Sequence, residues 1–182
     1  MKREIGLSES VWVLEPGCVV LVTSGTMERR NVMTFSWQSP VYSDGLCLIL
    51  LSIARTRYTY ELLKEIPELV INVPGVELVD KVHRVGSTTG RKVDKFKEQS
   101  LTPTPAEIVR PPLVAECSAH LECTVRQFIP VEKHDLLLCE VVRAVADSNL
   151  FSGKWIPEKA RTIHHLGGST YGVLDRIVEA SG

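Results

Sequence analysis

The 182-residue sequence predicts a mainly β fold with helical inserts, a small Greek-key or split barrel, on three observations. Short apolar or alternating segments recur between Gly-, Pro- or Asp-containing breaks. Two segments alone carry an amphipathic helical period. Strands and helices do not alternate as a βαβ fold requires. The elements follow in order. Val11–Leu14, Val19–Ser24, Asn31–Trp37 and Leu46–Ser52 read as strands whose short spacing makes them antiparallel neighbours. In the third, Val32, Thr34 and Ser36 share one face and Met33, Phe35 and Trp37 the other, the apolar set facing the core. Leu46–Leu51 is apolar throughout and is expected to be a central strand covered on both sides.

Thr59–Ile66 reads as a short helix, with Leu62, Leu63 and Ile66 on one stripe, Thr59 as its N-cap and Pro67 as its stop. Leu69–Val73 returns as a strand. Glu77–Val85 is a second amphipathic helix with Leu78, Val79 and Val82 inward, ended by Gly86. From Ser87 to Pro112 the chain is polar and carries four prolines, so it reads as a long loop with a helical turn around Lys95. Strands resume at Ala115–Gln127 and Leu136–Ala146, with His134-Asp135 placed in the turn between them. His120, Glu122, Thr124 and Arg126 lie on one face, and Leu121, Cys123 and Val125 on the other. A last short strand falls within Ile163–Tyr171, which contains a Gly167-Gly168 break. With no repeat or linker, residues 1–182 are expected to form one domain.

Composition narrows the function classes. Lys and Arg total 21 against 22 acidic residues. A net charge of −1 offers no general attraction to nucleic acid or to an anionic membrane, and neither partner is expected. The most apolar run, Leu46–Ile53, is eight residues long, against the ~20 a membrane helix needs. No signal peptide is expected. Five cysteines without a C-x-x-C pair fit a reducing, cytoplasmic compartment.

The most informative local feature is Ser52-Ile-Ala-Arg55-Thr56-Arg57-Tyr-Thr59, where an apolar strand gives way to a helix start. Cations beside a helix N-terminus are unfavourable unless an anion is present. A bound phosphate would take backbone N–H groups, the hydroxyls of Ser52, Thr56 or Thr59, and guanidinium contacts. The alternative is a pair of solvated arginines with Thr59 acting only as a cap. A second feature is Asn31, Thr34 and Ser36 on the third strand, whose polar groups meet either solvent or the edge of a planar ligand. Gly86-Ser-Thr-Thr-Gly90-Arg91-Lys92 superficially resembles a phosphate loop, yet it lacks the G-K-[ST] ending and follows a helix, so a P-loop is rejected. No G-x-G-x-x-G follows a strand, which removes a Rossmann nicotinamide site. The histidine and cysteine spacings fit neither a zinc nor an iron centre, so no metal is expected.

Taken together, Asn31-Val-Met-Thr34-Phe-Ser36-Trp37, Ser52-Ile-Ala-Arg55-Thr-Arg57-Tyr-Thr59 and Leu69-Val-Ile-Asn72-Val-Pro74 resemble the flavin reductase-like FMN-binding split-barrel family, the group that includes flavoredoxin. Asp94-Lys-Phe96, His120-Leu-Glu122-Cys123 and His165-Leu-Gly-Gly168 with Tyr171 extend the resemblance over nearly the whole chain, in family order. It implies a six-stranded antiparallel split β-barrel with flanking helices, a homodimer, and non-covalent FMN near the subunit interface. Asn31, Met33, Thr34 and Ser36 would then lie along the isoalloxazine. Ser52, Ala54, Arg55, Thr56, Arg57 and Thr59 would hold the ribityl phosphate, and Phe96 and Tyr171 would cover the ring or come from the other subunit. The cofactor carries the redox chemistry, so no catalytic side chain is named. The implied activity is either NAD(P)H:flavin reduction, with NADH or NADPH as donor, or flavoredoxin-like electron transfer from a redox protein. A non-enzymatic flavin-binding or storage barrel, or a nucleic-acid-binding barrel, is the alternative; charge and the lack of a basic strip with aromatics stand against the last.

Overall fold

The computed structural model describes residues 13–14 and 17–180. Its centre is a seven-stranded antiparallel sheet built from β1 (Val20–Gly25), β2 (Arg30–Phe35), β3 (Gln38–Ser43), β4 (Cys47–Ala54), β5 (Glu68–Val73), β8 (Ala119–Val131) and β9 (His134–Ala146). The strand order is β2-β1-β5-β8-β9-β4-β3. Three hairpins, β1–β2, β3–β4 and β8–β9, are thus interleaved by β5, which returns beside β1 after α1 (Tyr58–Glu65) carries the chain away from β4. α2 (Val79–Ser87), entered through a 3₁₀ turn at Val76–Leu78, and α3 (Lys95–Glu98) precede the short pair β6 (Pro103–Thr104) and β7 (Leu113–Val114). After β9 come α4 (Pro157–Ala160) and the hairpin β10 (Ile163–Gly167) and β11 (Thr170–Val173). The mainly β, antiparallel class expected from the residue patterns is the one observed.

The sheet buries both of its faces along β1, because α2 and α3 pack on one side while the sheet curls over the other. Val20 and Val22 join Ile49, Leu51, Ile71 and Leu137 inside the curl. Leu21 points the opposite way and meets Val32, Val82, Val85 and Phe96 under the helices. Full burial of side chains of this kind contributes about 1.5–3 kcal/mol each.

Several local expectations change. Residues 11 and 12 of the expected first strand lie outside the described residues, and Val13 and Leu14 are exposed and in no strand. β3 has no apolar signal, being exposed and carrying Pro40. As an edge strand with a bulge beside that proline it tolerates the missing N–H. The face of β2 bearing Val32 and Thr34 is covered, since α2 lies on it and the Thr34 hydroxyl donates to Val82 O at 2.5 Å. β4 is covered on one face only. Ile49, Leu51 and Ile53 are buried, whereas Leu48, Leu50 and Ser52 are half-exposed. The β8–β9 turn is Glu132-Lys133, with Glu132 at φ 50°, and His134 and Asp135 already belong to β9. α2 continues through Gly86 to Ser87. α3 is the expected turn around Lys95, capped by the Asp94 carboxylate, which accepts from Phe96 N at 3.0 Å and Lys97 N at 3.3 Å.

Most of the long 87–112 segment is tied to the sheet. Buried Glu122 accepts from the N–H groups of Glu107, Ile108 and Val109 at 2.7–3.2 Å and from Arg143 at 3.0 Å. The Thr23 hydroxyl donates to Pro112 O at 2.6 Å, and Asn72 Oδ1 accepts from Val114 N and His120 Nδ1. His120 and Glu122 therefore serve packing. Among the described residues no group of three or more His, Cys, Asp or Glu is placed to hold a metal.

Candidate functional site

β2 is a sheet edge, and β4 ends where α1 begins; the two elements flank an open cleft of about 650 Å³. Its walls are β2 from Asn31 to Phe35 with Ser36 and Trp37 beyond it, the β4–α1 junction from Ser52 to Thr59, and the Gly86–Lys92 segment with Lys95. Met33 and Thr34, which point to opposite sides of β2, both line it, as an edge strand allows when it offers backbone as well as side chains.

Nine of the twelve sequence-derived residues come together here: Asn31, Met33, Thr34, Ser36, Ser52, Ala54, Thr56, Arg57 and Thr59. Three do not. Arg55 turns to β9, where its Nε donates to Asp135 Oδ1 at 2.6 Å and the Tyr60 hydroxyl completes that carboxylate at 2.8 Å. Arg55 and Arg57 lie in the turn between β4 and α1, where strand alternation no longer sets side-chain direction, and Asp135 claims only the first. Phe96 is buried in the layer beneath α2 with the Arg30 guanidinium 5.5 Å above its ring. Tyr171 lines a smaller recess adjoining the cleft.

Thr59 also differs from its expected capping role. Arg57 occupies the N-cap position of α1 and supplies no side-chain cap, while buried Thr59 sits in the first turn and accepts from Asn31 Nδ2 at 2.8 Å. The opening N–H groups of α1 thus keep an uncapped, partially positive end. Asn31 Oδ1 is buried and has no hydrogen-bond partner among the described residues. A Cβ on Gly90 would stand 2.0 Å from that oxygen and 3.0 Å from the Tyr58 ring, so glycine is what lets the loop come down onto Asn31.

The charge is uneven. Arg91 is neutralised by Glu61 and also donates to Thr56 O at 3.1 Å, which ties the loop across to α1. Arg57 and Lys92 form no ion pair among the described residues. Lys95 is 6% exposed, with its ammonium donating to Val85 O at 2.8 Å. Burial, reinforced by the nearby charge of Arg57, pushes its pKa down to about 8. Three uncompensated cations beside a bare helix N-terminus make a seat for a multiply charged anion.

Lys92, Lys95 and the Gly86–Lys92 loop were not among the sequence-derived residues. The sequence carries a signal for them in the two glycines four apart followed by Arg91-Lys92, which marks a cationic loop even though it fails the P-loop pattern. His134, which begins β9 instead of lying in the turn, stacks on half-exposed Trp37 with ring centroids 6.2 Å apart and also lines the cleft.

The flavin reductase-like domain model matches residues 14–164. An uncharacterized protein of Archaeoglobus fulgidus is 35% identical over 150 residues, which cover 81% of this chain and 84% of that one. Among solved structures, the flavoredoxin of Desulfovibrio vulgaris (Miyazaki F) superposes with a TM-score of 0.85 at 22% identity, over 100% of this chain and 97% of that one. An FMN-binding domain of a flavin reductases-like enzyme from Shewanella baltica gives a TM-score of 0.81 at 25% identity, over 97% and 96% of the two chains.

Proposed function

Because the chain belongs to the flavin reductase-like domain family, we propose that the cleft binds FMN without a covalent link and that the protein is a flavin-dependent oxidoreductase. The observation that carries this reading is the set of uncompensated cations at the open end of α1. Arg57, Lys92 and Lys95 hold the dianionic phosphate together with the Thr56 hydroxyl and the first N–H groups of the helix. The residues also fit the rest of the ligand. The cleft volume of about 650 Å³ lies within the range of small-molecule sites. The orphaned Asn31 Oδ1 and the open edge of β2 at Met33–Ser36 offer hydrogen-bonding groups to a planar polar ring.

When bound, FMN supplies reversible two-electron redox chemistry, and the chain supplies binding, orientation and exclusion of water. No side chain need act as acid or base. The donor is either NADH or NADPH, or a redox protein, and stopped-flow reduction of the loaded protein with each nucleotide separates these.

The half-exposed face of β4 and β9 carries Leu48, Leu50, Leu136 and Leu138 and continues along the same strand faces into Ser52, Ala54 and His134 at the cleft. This continuity favours a second copy of the chain on that face, walling the cleft in a homodimer.

The test is Arg57→Ala. FMN affinity falls about tenfold or more, as expected for a charge-assisted contact, while riboflavin, which lacks the phosphate, binds as before. Equal loss for both flavins, or failure of the unmodified protein to take up FMN, rejects the reading.

A further inference from the structure

The two walls of the cleft beside the α1 start are joined by a single side chain. Arg91, on the Gly86–Lys92 segment, sends its guanidinium across to α1. There Nη2 donates to Thr56 O at 3.1 Å and Nε to Glu61 Oε2 at 3.3 Å, with a second, closer bond from Nη2 to Glu61 Oε1. The same guanidinium lies 5.7 Å from the centre of the Tyr58 ring. Both ends of this bridge are braced. Thr89 accepts from Arg91 N through its hydroxyl at 3.4 Å and from Lys92 N through its carbonyl at 3.2 Å, and Arg29 Nε donates to the Tyr58 hydroxyl at 3.4 Å.

The bridge is poorly suited to holding the fold together. The Arg91 and Glu61 side chains are 41% and 49% exposed, and ion pairs this open to water add little to folding. Nor is Arg91 free to neutralise a ligand, because the Glu61 carboxylate already takes its charge, whereas the next residue, Lys92, has no ion pair among the described residues. What the bridge does is span the gap between the loop and the first turn of α1, next to the seat formed by Arg57, Lys92 and Lys95. The Arg91 guanidinium holds the Glu61 carboxyl below its usual range, so the pair stays charged at neutral pH. A ligand that ends in a monoester phosphate stops at the seat. One that continues through a pyrophosphate into a nucleoside must pass the spanned gap, where it displaces the contacts of Arg91 and brings a second phosphate against the Glu61 carboxylate. An obstacle and a like charge set against the longer ligand are the ordinary means of discrimination.

We propose that the Arg91–Glu61 bridge sets the length of ligand the cleft accepts, admitting FMN and turning away FAD. The inference rests on the flavin reading of the cleft and adds to it the residues that choose between the two flavin nucleotides. Arg91 and Glu61 determine specificity by closing the phosphate end, and neither takes part in redox chemistry.

The experiment uses the full chain, unmodified and as Arg91→Ala and Glu61→Gln. Dissociation constants for FMN, FAD and riboflavin are read by flavin fluorescence, and thermal melts confirm that each variant folds. The unmodified protein should bind FMN at least about tenfold more tightly than FAD. The ratio of the two constants is the readout, because a general loss of positive charge near the seat weakens both nucleotides and leaves the ratio where it was. Both variants should shrink the ratio about three- to tenfold, the worth of one charge-assisted contact. In Glu61→Gln the change should come from tighter FAD, since Arg91 is released to meet the second phosphate. Riboflavin affinity should not move in either variant. Equal affinity of the unmodified protein for FMN and FAD, or a ratio that neither variant changes, overturns the inference while FMN binding upholds the flavin reading. Failure of the unmodified protein to take up any of the three flavins removes that reading, and the inference with it.

Discussion

Lys95 gives the sharpest test of the cleft, because its pKa and its proposed ligand pull in opposite directions. In the chain alone, burial beside Arg57 lowers the ammonium pKa from 10.5 to about 8. A phosphate dianion next to it restores the charged form, so binding of FMN must be coupled to proton uptake by Lys95. Below about pH 8 the free protein already carries the proton; above it each binding event must first supply one. With a free-protein pKa of about 8 and the ammonium kept charged by the bound phosphate, FMN affinity should fall by up to about tenfold between pH 7 and pH 9. The phosphate itself, with a second pKa near 6, is already dianionic across that window. The assay is fluorescence titration of FMN and riboflavin at half-unit steps of pH, on the unmodified protein and on Lys95→Met. Riboflavin should show no such slope, and Lys95→Met should bind FMN about ten- to a hundredfold more weakly at pH 7 with the slope removed. A flat FMN profile in the unmodified protein, or a parallel slope for riboflavin, refutes the reasoning. Stability carries the opposite sign. The folded-state pKa is depressed, so the native chain binds fewer protons than the unfolded one between about pH 8 and 10.5 and should gain stability with rising pH in that range.

Gly90→Ala should lower FMN affinity while leaving the melting temperature nearly unchanged, because the new Cβ collides with Asn31 Oδ1 and lifts the loop that carries Arg91 and Lys92; unaltered affinity would show that this loop does not shape the site. Glu122→Gln should cost about 2 kcal/mol in urea unfolding, since one carboxylate serves three backbone N–H groups and Arg143. Burial raises the Glu122 pKa, but the N–H groups of Ile108, Glu107 and Val109 and the Arg143 guanidinium outweigh it and hold the carboxyl below its usual range. Its contribution is therefore present above the unfolded-state value and is lost as pH falls through the folded-state one. A variant whose acid unfolding matches that of the parent would reject this account.

The sheet was legible because its strands advertise themselves. β1 and β5 are buried runs, and β8 alternates Leu121, Cys123 and Val125 with polar residues. The Ser52–Thr59 junction was legible for a different reason, since cations beside a helix start are unfavourable unless an anion meets them; Asp135 meets Arg55, and no carboxylate among the described residues meets Arg57. What remained hidden depends on contacts distant in sequence. Nothing in Arg55-Thr-Arg57 tells which guanidinium Asp135, eighty residues later, will claim. Lys95 reads as an exposed helical lysine until α3 folds beneath the end of α2 and Val85 O receives its ammonium. The resemblance alone implies a ligand-covering role for Phe96, yet the short helix α3 turns that ring down into the buried layer beneath α2.

The two ends of the combined cavity differ in a way that bears on how a ligand enters. Arg57, Lys92 and Lys95 lie in the cleft near α1, while among the described residues no Asp, Glu, Lys or Arg lines the recess beyond Thr34 and Ser36. A molecule with a dianionic tail and a neutral polar ring therefore has one favourable direction. Reversed, its phosphate would be desolvated against His83 and Tyr171 with no fixed cation, and Lys95 would stay buried beside Arg57 without an anion. Each of those faults costs on the order of several kcal/mol. Specificity of orientation thus follows from where charge is withheld as much as from where it is gathered. Placing a lysine in the recess, as in Ser87→Lys, should accordingly weaken this preference for one orientation while leaving the phosphate seat beside α1 intact.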